Sequence, residues 1–319
     1  MKQALNGINL GGWLVLEKWI MLSLFKGIQA KDEYSFCKQL GYEKANDALS
    51  RHRDSFITEA DFKWLKNNNV KYIRIPVGYW IFGDEKPFIS AIKYLDFAFK
   101  QAEKFDLKIL IDMHGAAGSQ NGEHHSGKAG EINWHKLQNR KKTVSIISRL
   151  VARYKDSSSL WGIEILNEPD RNIDKKILLE FYRECCSEIR KTAGDEVKIV
   201  ISDQFLSFRW MFGLGRGYKN IMLDRHLYQI FSSLDKKTSY KTKIFIVRTW
   251  WRLLIFVTQL FTPMIVGEWS AALPRNGEKR NRQYMEAQKV VFSKAATNFF
   301  WTYKTQDNGT WDYKATKDY

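Results

Sequence analysis

The sequence predicts an α/β protein built as one (β/α)8 barrel, a TIM barrel, in which residues 1–319 form a single domain. A chain of 319 residues with 44% hydrophobic residues has the length and the apolar content that such a barrel needs. Short apolar runs alternate with longer amphipathic segments, as repeated strand–helix units do. Polar or aromatic residues follow six of the predicted strands, and the carboxyl ends of parallel barrel strands surround one active-site mouth.

Each of the eight predicted strands is a short apolar run that a turn residue or a polar residue ends. The strands are expected at residues 5–10, 70–76, 108–113, 161–166, 197–202, 220–225, 264–267 and 298–300. Amphipathic segments between them predict helices near 32–40, 58–69, 89–104, 138–154 and 173–193. The second of these helices begins with the capping box Thr58-Glu59-Ala60-Asp61. Residues 11–30 are apolar without a period, which predicts a packed loop that carries Glu17.

The fourth predicted strand carries the clearest indication of a functional site. Its apolar, partly β-branched run is typical of a buried strand, and Pro169 ends the run abruptly. Asn167 and Glu168 therefore stand at the C-terminal end of the strand, where a rigid element would hold a catalytic carboxylate. A solvated glutamate in the loop after a core strand is the alternative interpretation.

Eight polar or aromatic residues fall at predicted C-terminal strand ends, whereas random placement would scatter them. They are Arg74, His114, Asn167, Glu168, His226, Tyr228, Glu268 and Trp301. The arginine lies inside an apolar strand and requires a carboxylate partner there. Glycoside hydrolysis requires two carboxyl groups, one protonated for the leaving oxygen and one ionised for the anomeric carbon, and this set contains two. Each histidine, taken alone, would more often be a core residue.

The formal net charge of +16 indicates attraction to an anionic partner such as nucleic acid, a membrane surface or an acidic polymer. The basic residues are scattered, so nucleic acid is not expected, and a solvated basic surface is the simpler interpretation. Neither a metal nor a cofactor is expected, because no zinc-ligand spacing, P-loop or dinucleotide-binding glycine pattern occurs. His124 and His125 stand in a Gly/Ser/Asn-rich loop, where side chains are more often solvent-exposed than metal-binding.

Cysteine usage and the position of the first strand predict a cytoplasmic protein. Cys37, Cys185 and Cys186 cannot pair completely, and the last two are adjacent on a predicted helix, so reduced thiols are expected. If Met1 is the natural start, the first strand leaves no room for a signal peptide.

Five longer motifs follow one another along nearly the whole chain. They stand at residues 7–17 (GINLGGWLVLE), 74–80 (RIPVGYW), 114–122 (HGAAGSQNG), 167–169 (NEP) and 267–273 (GEWSAAL). Together they resemble glycoside hydrolase family 5 of clan A and, within it, the exo-β-1,3-glucanase branch. The resemblance implies a β-glycosidase that works by double displacement and retains anomeric configuration.

The resemblance also implies roles for the catalytic pair and its neighbours. Glu168 would be the acid/base and Glu268 the nucleophile, with carboxyl groups about 5–5.5 Å apart. Arg74 would hold Glu268 ionised by its charge, and Tyr228 would do so by a hydrogen bond. Glu168 would need a raised pKa in order to donate a proton.

Further roles implied by the resemblance concern the sugar at the −1 subsite. His114, Asn167 and His226 would line this sugar, and Asn167 would bond its 2-hydroxyl group. Trp301 would be the stacking platform. Glu17 would grip hydroxyl groups at the non-reducing end, which makes the pocket blind and the enzyme exo-acting. A plain loop residue is the alternative interpretation of Glu17.

This chain departs from the resemblance where the leaving-group sugar binds. In the fungal glucanases an aromatic residue stands at the position of Glu123, and it clamps that sugar together with the aromatic matching Phe231. Only Phe231 remains here. Compared with the resemblance, we also expect this chain to lack the secretion signal, most of the inserted segment after strand seven and the C-terminal extension past Trp311. A glucan polymer is therefore less expected than an oligosaccharide or a glycoconjugate.

Several functions remain open on the sequence alone. The first is a retaining, exo-acting glucan 1,3-β-glucosidase. The alternatives are a β-glycosidase acting on a glycolipid or lipid-linked oligosaccharide and an endo-β-glucanase. Two non-enzymes complete the set: a carbohydrate-binding barrel, which would gain nothing from a glutamate pair, and an anion-binding protein with a basic surface.

Residues 244–260 are more apolar than an outer barrel helix requires. If this segment is helical, its two arginines share one narrow stripe and apolar side chains cover the remainder. Burial of the excess by neighbouring elements is one interpretation. The other is an exposed face containing Trp250 and Trp251 that docks on an anionic membrane surface or a partner. The two central arginines argue against a membrane span.

Overall fold

The strands of the computed structural model, which describes residues 6–204, 217–274 and 277–317, confirm the predicted barrel. Eight parallel strands pair in sequential order, and the sheet closes because β1 pairs with both β2 and β8. The strands are β1 (Gly7–Asn9), β2 (Tyr72–Gly78), β3 (Lys108–Gly115), β4 (Leu160–Glu164), β5 (Lys198–Ser202), β6 (Ile221–His226), β7 (Met264–Trp269) and β8 (Thr297–Phe300). The expected start of the first strand, Leu5, lies outside the described residues.

Helices lie in the connections between the strands, and the longer ones bury apolar residues. They are α1 (Glu33–Leu40), α2 (Tyr42–Phe56), α3 (Glu59–Asn67), α4 (Ile92–Lys104), α5 (Leu137–Tyr154), α6 (Lys175–Ala193), α7 (Ser233–Lys237), α8 (Tyr240–Ile246), α9 (Arg252–Gln259), α10 (Glu278–Phe292) and α11 (Tyr313–Thr316). A π-helical segment, Val247–Trp251, joins α8 to α9 without a break. In the described ranges, no helix has both the length and the apolar character needed to cross a membrane.

Helix α2 was not expected from the sequence, and its composition explains why. The residues that it buries are Ala45, Leu49, His52 and Arg53. Two of these four side chains are polar, so the apolar period that identifies an amphipathic helix is weak here.

The interior of the barrel contains an apolar layer below a polar layer. The apolar layer consists of Leu110, Val200, Met222, Ile265 and Phe299. Side chains alternate across a strand, so Asp112 and His114 face the same way as the leucine on β3. On β6 the same alternation places Asp224 and His226 above the methionine. The strand register therefore collects ionisable side chains at the carboxyl end of the barrel.

A buried ion pair fixes the segment between β1 and α1, which carries Glu17. Arg53 Nη2 donates to Glu33 Oε1 at 2.9 Å, and the two side chains are 1% and 0% exposed. The same glutamate accepts hydrogen bonds from the backbone N–H of Leu16 at 2.9 Å and from Trp80 Nε1 at 3.0 Å. The pair thus holds the backbone directly before Glu17.

We predict that Arg53→Leu lowers the free energy of unfolding by about 3–5 kcal/mol, because it leaves the Glu33 carboxylate buried without a counter-charge. Urea denaturation measures this change. Arg51→Leu is the matched control on the same helix, since its partner Asp47 and Arg51 itself are 61% and 73% exposed. Equal losses in the two variants would show that the buried pair has no special role.

Candidate active site

A cavity of about 800 Å³ opens at the carboxyl end of the barrel. Eight of the residues predicted for the site line it: Glu17, His114, Glu168, His226, Tyr228, Phe231, Glu268 and Trp301. The other two, Arg74 and Asn167, lie fully buried, and Arg74 donates hydrogen bonds to both Glu268 and Asn167. Residues that the sequence did not predict complete the lining: Trp19, Glu123, His124, His125, Arg171, Ser232, Asp235 and Trp311.

Arg74 on β2 lies at the centre of the polar layer. Its Nε donates to Glu164 Oε2 at 2.7 Å, and its Nη1 donates to Glu268 Oε1 at 3.0 Å. Its Nη2 donates to Asn167 Oδ1 at 2.8 Å and lies 3.1 Å from Asp112 Oδ2. Burial alone would lower the pKa of Arg74, but the charges of Asp112, Glu164 and Glu268 raise it well above its usual value. The guanidinium is therefore a permanent cation with the carboxylate partners that its position requires.

Glu268 on β7 has both carboxylate oxygens engaged. Arg74 bonds Oε1, and the hydroxyl group of Tyr228 donates to Oε2 at 3.0 Å. Burial raises the pKa of Glu268, while the charges of His226 and Arg74 favour its ionised form. The contacts expected from Arg74 and Tyr228 are thus present in the structure.

Glu168 follows β4 and has φ = +42°, a left-handed backbone conformation that is uncommon for a residue with a side chain. Its Oε1 lies 2.5 Å from His226 Nδ1, and its Oε2 lies 3.6 Å from His125 Nε2. Burial alone would raise the pKa of Glu168, but the charge and the hydrogen bond of His226 outweigh burial and lower it to about 2. The expected raised pKa is therefore wrong for the substrate-free protein.

His226 connects the carboxylates of the site. Its Nε2 lies 3.2 Å from Asp224 Oδ2, and its Nδ1 lies 3.5 Å from Glu268 Oε2. Burial would lower the pKa of His226, but the charges of Glu268, Asp224 and Glu168 raise it well above its usual value. The free protein therefore keeps on His226 a proton that lies within hydrogen-bonding distance of Glu168.

The nearest carboxylate oxygens of the two glutamates are closer together than the carboxyl spacing of an inverting enzyme. One carboxylate oxygen of Glu168, one of Glu268 and one ring nitrogen of His226 all lie within 4.8 Å of one another. Retaining glycosidases place their carboxyl groups about 5–5.5 Å apart, whereas inverting enzymes leave about 6.5–9.5 Å for a water molecule. The same three donors, and a second set formed by Glu164, Asp224 and His226, could also ligate a cation.

The side of the cavity that holds Glu17 is buried. Glu17 is 5% exposed, and its Oε2 accepts a hydrogen bond from Trp19 Nε1 at 2.8 Å. Burial raises the pKa of Glu17 to about 7, against the opposing charge of His114. Near neutral pH this carboxyl group can therefore donate or accept a hydrogen bond.

Trp301 and His114 form one stacked wall of the cavity. Their rings lie 5.4 Å apart at an interplanar angle of 9°. His114 Nδ1 is 2.6 Å from Asp112 Oδ2, which fixes the ring orientation. An immobile aromatic face of this kind is a platform for the apolar face of a sugar.

The rim of the cavity carries an exposed aromatic residue and an exposed acidic residue. Phe231 is 67% exposed and lies 6.2 Å from the ring of Trp311. Glu123, which stands where the resemblance has a second aromatic, is also exposed at this rim. At the two positions of the aromatic clamp, this chain therefore has one aromatic residue and one acidic residue.

The structure corrects the expectation for His125, which was placed in a solvent-exposed loop. Its side chain is 14% exposed, and its Nδ1 lies 3.3 Å from His114 Nε2. Burial lowers the pKa of His125 to about 3, so the ring is neutral. No local sequence signal marked this residue, because its burial depends on residues distant in the chain.

Comparison with known proteins gives results that agree with this geometry. Residues 36–307 match a family model described as "Cellulase (glycosyl hydrolase family 5)". The chain is 32% identical over 360 residues to "Probable glucan 1,3-beta-glucosidase A" of Emericella nidulans, covering 98% of this chain and 88% of that protein. It is 29% identical to "Sporulation-specific glucan 1,3-beta-glucosidase" of Saccharomyces cerevisiae, covering 98% and 84%. Its fold resembles a rutinosidase from Aspergillus niger with a TM-score of 0.85 and 21% identity, covering 100% and 98%.

The raised pKa of Glu17 predicts a pH-dependent contribution to stability. The pKa rises from about 4.5 to about 7 on folding, so the folded protein keeps a proton that the unfolded chain loses first. This stabilisation is complete below pH 4.5 and is lost as the pH rises through 7. Glu17→Gln removes the titration. We therefore expect the free energy of unfolding of the variant, relative to the wild type, to increase by about 2 kcal/mol between about pH 5 and 7.

Urea denaturation over a series of pH values measures this difference. Glu123→Gln is the control, because its carboxyl group is exposed at the rim of the same cavity. Its stability should follow the wild-type pH profile. A Glu17→Gln profile parallel to the wild type would mean that burial does not raise the pKa of Glu17.

Proposed function

Because this chain belongs to glycosyl hydrolase family 5 and is an O-glycosyl hydrolase, we propose that it removes terminal β-linked glucose from oligosaccharides or glycoconjugates with retention of configuration. A retaining, exo-acting β-glucanase is the function that the family and the glucan 1,3-β-glucosidase relatives support. Glucan or oligosaccharide is accordingly the substrate class.

The close approach of Glu168 and Glu268 carries this proposal. One carboxylate oxygen of Glu168 lies within 4.8 Å of one of Glu268, so one group can attack the anomeric carbon while the other reaches the glycosidic oxygen. Of the two glutamates, Glu268 is the one that Arg74 and Tyr228 bond, which supports this residue as the nucleophile. Glu168 faces His226 and has no contact with Arg74 in the structure's described residues, which supports the acid/base role.

In the first step, a carboxylate oxygen of Glu268 attacks the anomeric carbon, and the bond from that carbon to the glycosidic oxygen breaks. The leaving oxygen takes a proton from Glu168. In the free protein this proton lies on His226, 2.5 Å from Glu168 Oε1. A bound sugar excludes water and disfavours the separated charges, so we infer that the proton moves to Glu168 when the substrate enters.

In the second step, the glycosyl–enzyme ester is hydrolysed. Glu168, now ionised, takes a proton from water while the water oxygen forms a bond to the anomeric carbon. The bond between that carbon and Glu268 breaks, and Glu268 returns as a carboxylate beside Arg74. Two inversions at one carbon give net retention.

The buried Glu17 supports exo action on short or conjugated substrates. The cavity extends from this buried carboxyl group to the exposed Phe231 at the rim, so one end is closed by protein. Hydroxyl groups of a terminal sugar would bond Glu17, and the leaving group would lie between Phe231 and Glu123. An acidic residue in place of an aromatic weakens stacking on a second sugar, which supports an oligosaccharide or glycoconjugate rather than a polymer.

We place the enzyme in a reducing compartment and propose the cytoplasm. Cys37, Cys185 and Cys186 are all buried with free thiols. Burial also raises the pKa of each thiol, which keeps them protonated and unreactive.

Replacement of the proposed nucleophile, Glu268, and its rescue by azide test the mechanism. On laminari-oligosaccharides and aryl β-glucosides, the wild type should release glucose first as the β-anomer, which proton NMR detects. Glu268→Ala should abolish this turnover, and azide should restore cleavage of the aryl glucoside with an α-glucosyl azide product. The azide takes the place of the missing carboxylate and inverts the configuration once.

Glu168→Ala is the matched variant. It should still cleave activated aryl glucosides, because a good leaving group needs no proton, and azide should then give the β-product. Azide that gives the α-product with Glu168→Ala would reverse the assignment of the two glutamates. A wild type without activity on any β-glucoside would exclude the proposed function.

Glu17→Ala tests the exo action. A buried polar contact to the terminal sugar is worth roughly 2–4 kcal/mol in the transition state, so kcat/KM should fall about 30- to 1,000-fold. Glu123→Ala at the open rim should change kcat/KM far less. If Glu17→Ala releases terminal glucose as fast as the wild type, a cavity closed at Glu17 does not explain the exo action.

A further inference from the structure

The helical segment between β6 and β7 presents a row of apolar side chains to solvent, which we name the apolar face. It consists of Phe245, Trp250, Leu253, Phe256 and Leu260, which are 51–64% exposed. The opposite side of the segment packs on the barrel through Val247 and Ile255, both fully buried. Trp251 stacks on Phe292 of α10 at 5.6 Å. The segment is thus anchored on one side, and neighbouring elements do not bury the excess apolar surface on the other.

A basic groove adjoins the apolar face between α8 and α10. It has a volume of about 850 Å³, and Phe245 belongs to both features. Four cationic residues line the groove: Lys241, Arg248, Lys279 and Arg282. None of these four forms an ion pair with any residue in the ranges 6–204, 217–274 and 277–317. The single carboxylate in the lining, Glu286, lies 3.3 Å from Lys289 instead.

Helix α5 shows the opposite arrangement on the outside of the barrel. On α5 four basic residues each face a carboxylate at 2.5–3.3 Å. Those four residues are Arg140, Lys142, Arg149 and Arg153. The basic groove therefore concentrates positive charge that the protein itself does not neutralise, beside apolar groups that it does not cover.

We propose that the apolar face and the basic groove together dock on the surface of a bilayer that contains anionic phospholipid. Aromatic and aliphatic side chains of an interfacial helix enter the boundary between headgroups and acyl chains, and adjacent cations bind the headgroup phosphates. A nucleic acid would use the cations but leave the apolar face exposed. A second copy of this chain would bring two unpaired basic grooves together at a net charge of +16 each.

Docking has a consequence for the substrate. Ser232 and Asp235 line the catalytic cavity, and α8 begins only five residues after the aspartate. A bilayer bound along this segment would therefore lie near the cavity mouth and favour a β-glucoside carried by a lipid. This consequence rests on the proposed glucosidase function, whereas the docking itself does not.

Flotation of the full-length protein with vesicles tests the docking. The wild type should float with vesicles of phosphatidylcholine and phosphatidylserine at low salt. High salt or vesicles of phosphatidylcholine alone should abolish or greatly reduce flotation. Two triple variants remove the features separately: Phe245→Ser/Leu253→Ser/Phe256→Ser for the apolar face and Arg248→Gln/Lys279→Gln/Arg282→Gln for the basic groove. The first should bind about tenfold more weakly and the second on the order of 100-fold more weakly.

Matched triple variants elsewhere on the surface serve as controls. They are Leu22→Ser/Tyr42→Ser/Leu137→Ser for exposed apolar groups and Lys44→Gln/Lys63→Gln/Lys100→Gln for net charge. All four variants should keep wild-type activity on a soluble aryl glucoside, which shows that they fold. The proposal fails if the wild type does not float at low salt, or if the control variants weaken binding as much as the test variants. A concentration-dependent dimer that the apolar-face variant abolishes would make a second copy the occupant and would also overturn it.

Discussion

The buried guanidinium of Arg74 is the interaction on which the polar half of the barrel depends. One cation from β2 is bonded by Glu164 from β4 and Glu268 from β7, and Asp112 from β3 lies 3.1 Å away. Removal of the cation would leave three carboxylates in a low-dielectric interior, and removal of any one carboxylate would disturb the other two. The arginine therefore joins the stability of the barrel to the placement of the proposed nucleophile.

The same network determines where the protons are. Arg74 remains charged, and the proton on His226 lies within hydrogen-bonding distance of Glu168 and 3.5 Å from Glu268. Asp224 holds this histidine from the opposite ring nitrogen. In the proposed mechanism, the acid is thus a glutamate–histidine pair rather than one isolated carboxyl group, and a bound sugar changes which partner carries the proton.

Sequence patterns predicted the eight strands and the strand-end residues, because apolar runs and their boundaries are local properties. They did not predict Asp112, Glu164 and Asp224. Asp112 and Asp224 each lie two residues before a predicted site residue on the same strand and so face the same side of that strand. His125 could not be predicted in this way, since its burial arises from packing across the barrel mouth. The sequence showed the excess of apolar residues after β6. Only the structure shows that Trp251 is packed on Phe292 whereas Trp250 is exposed.

Positive and negative charge are divided between the outside and the inside of this barrel. The cavity and the layer beneath it contain more carboxyl groups than cations, an arrangement that favours the positive charge developing on a sugar ring in the transition state. The net charge of +16 must therefore come from the exterior, where the basic groove is one concentration of it. The overall charge consequently describes what the outer surface attracts and not what the cavity hydrolyses. A neutral sugar at the mouth and an anionic surface beside it are compatible, because separate parts of the molecule bind them.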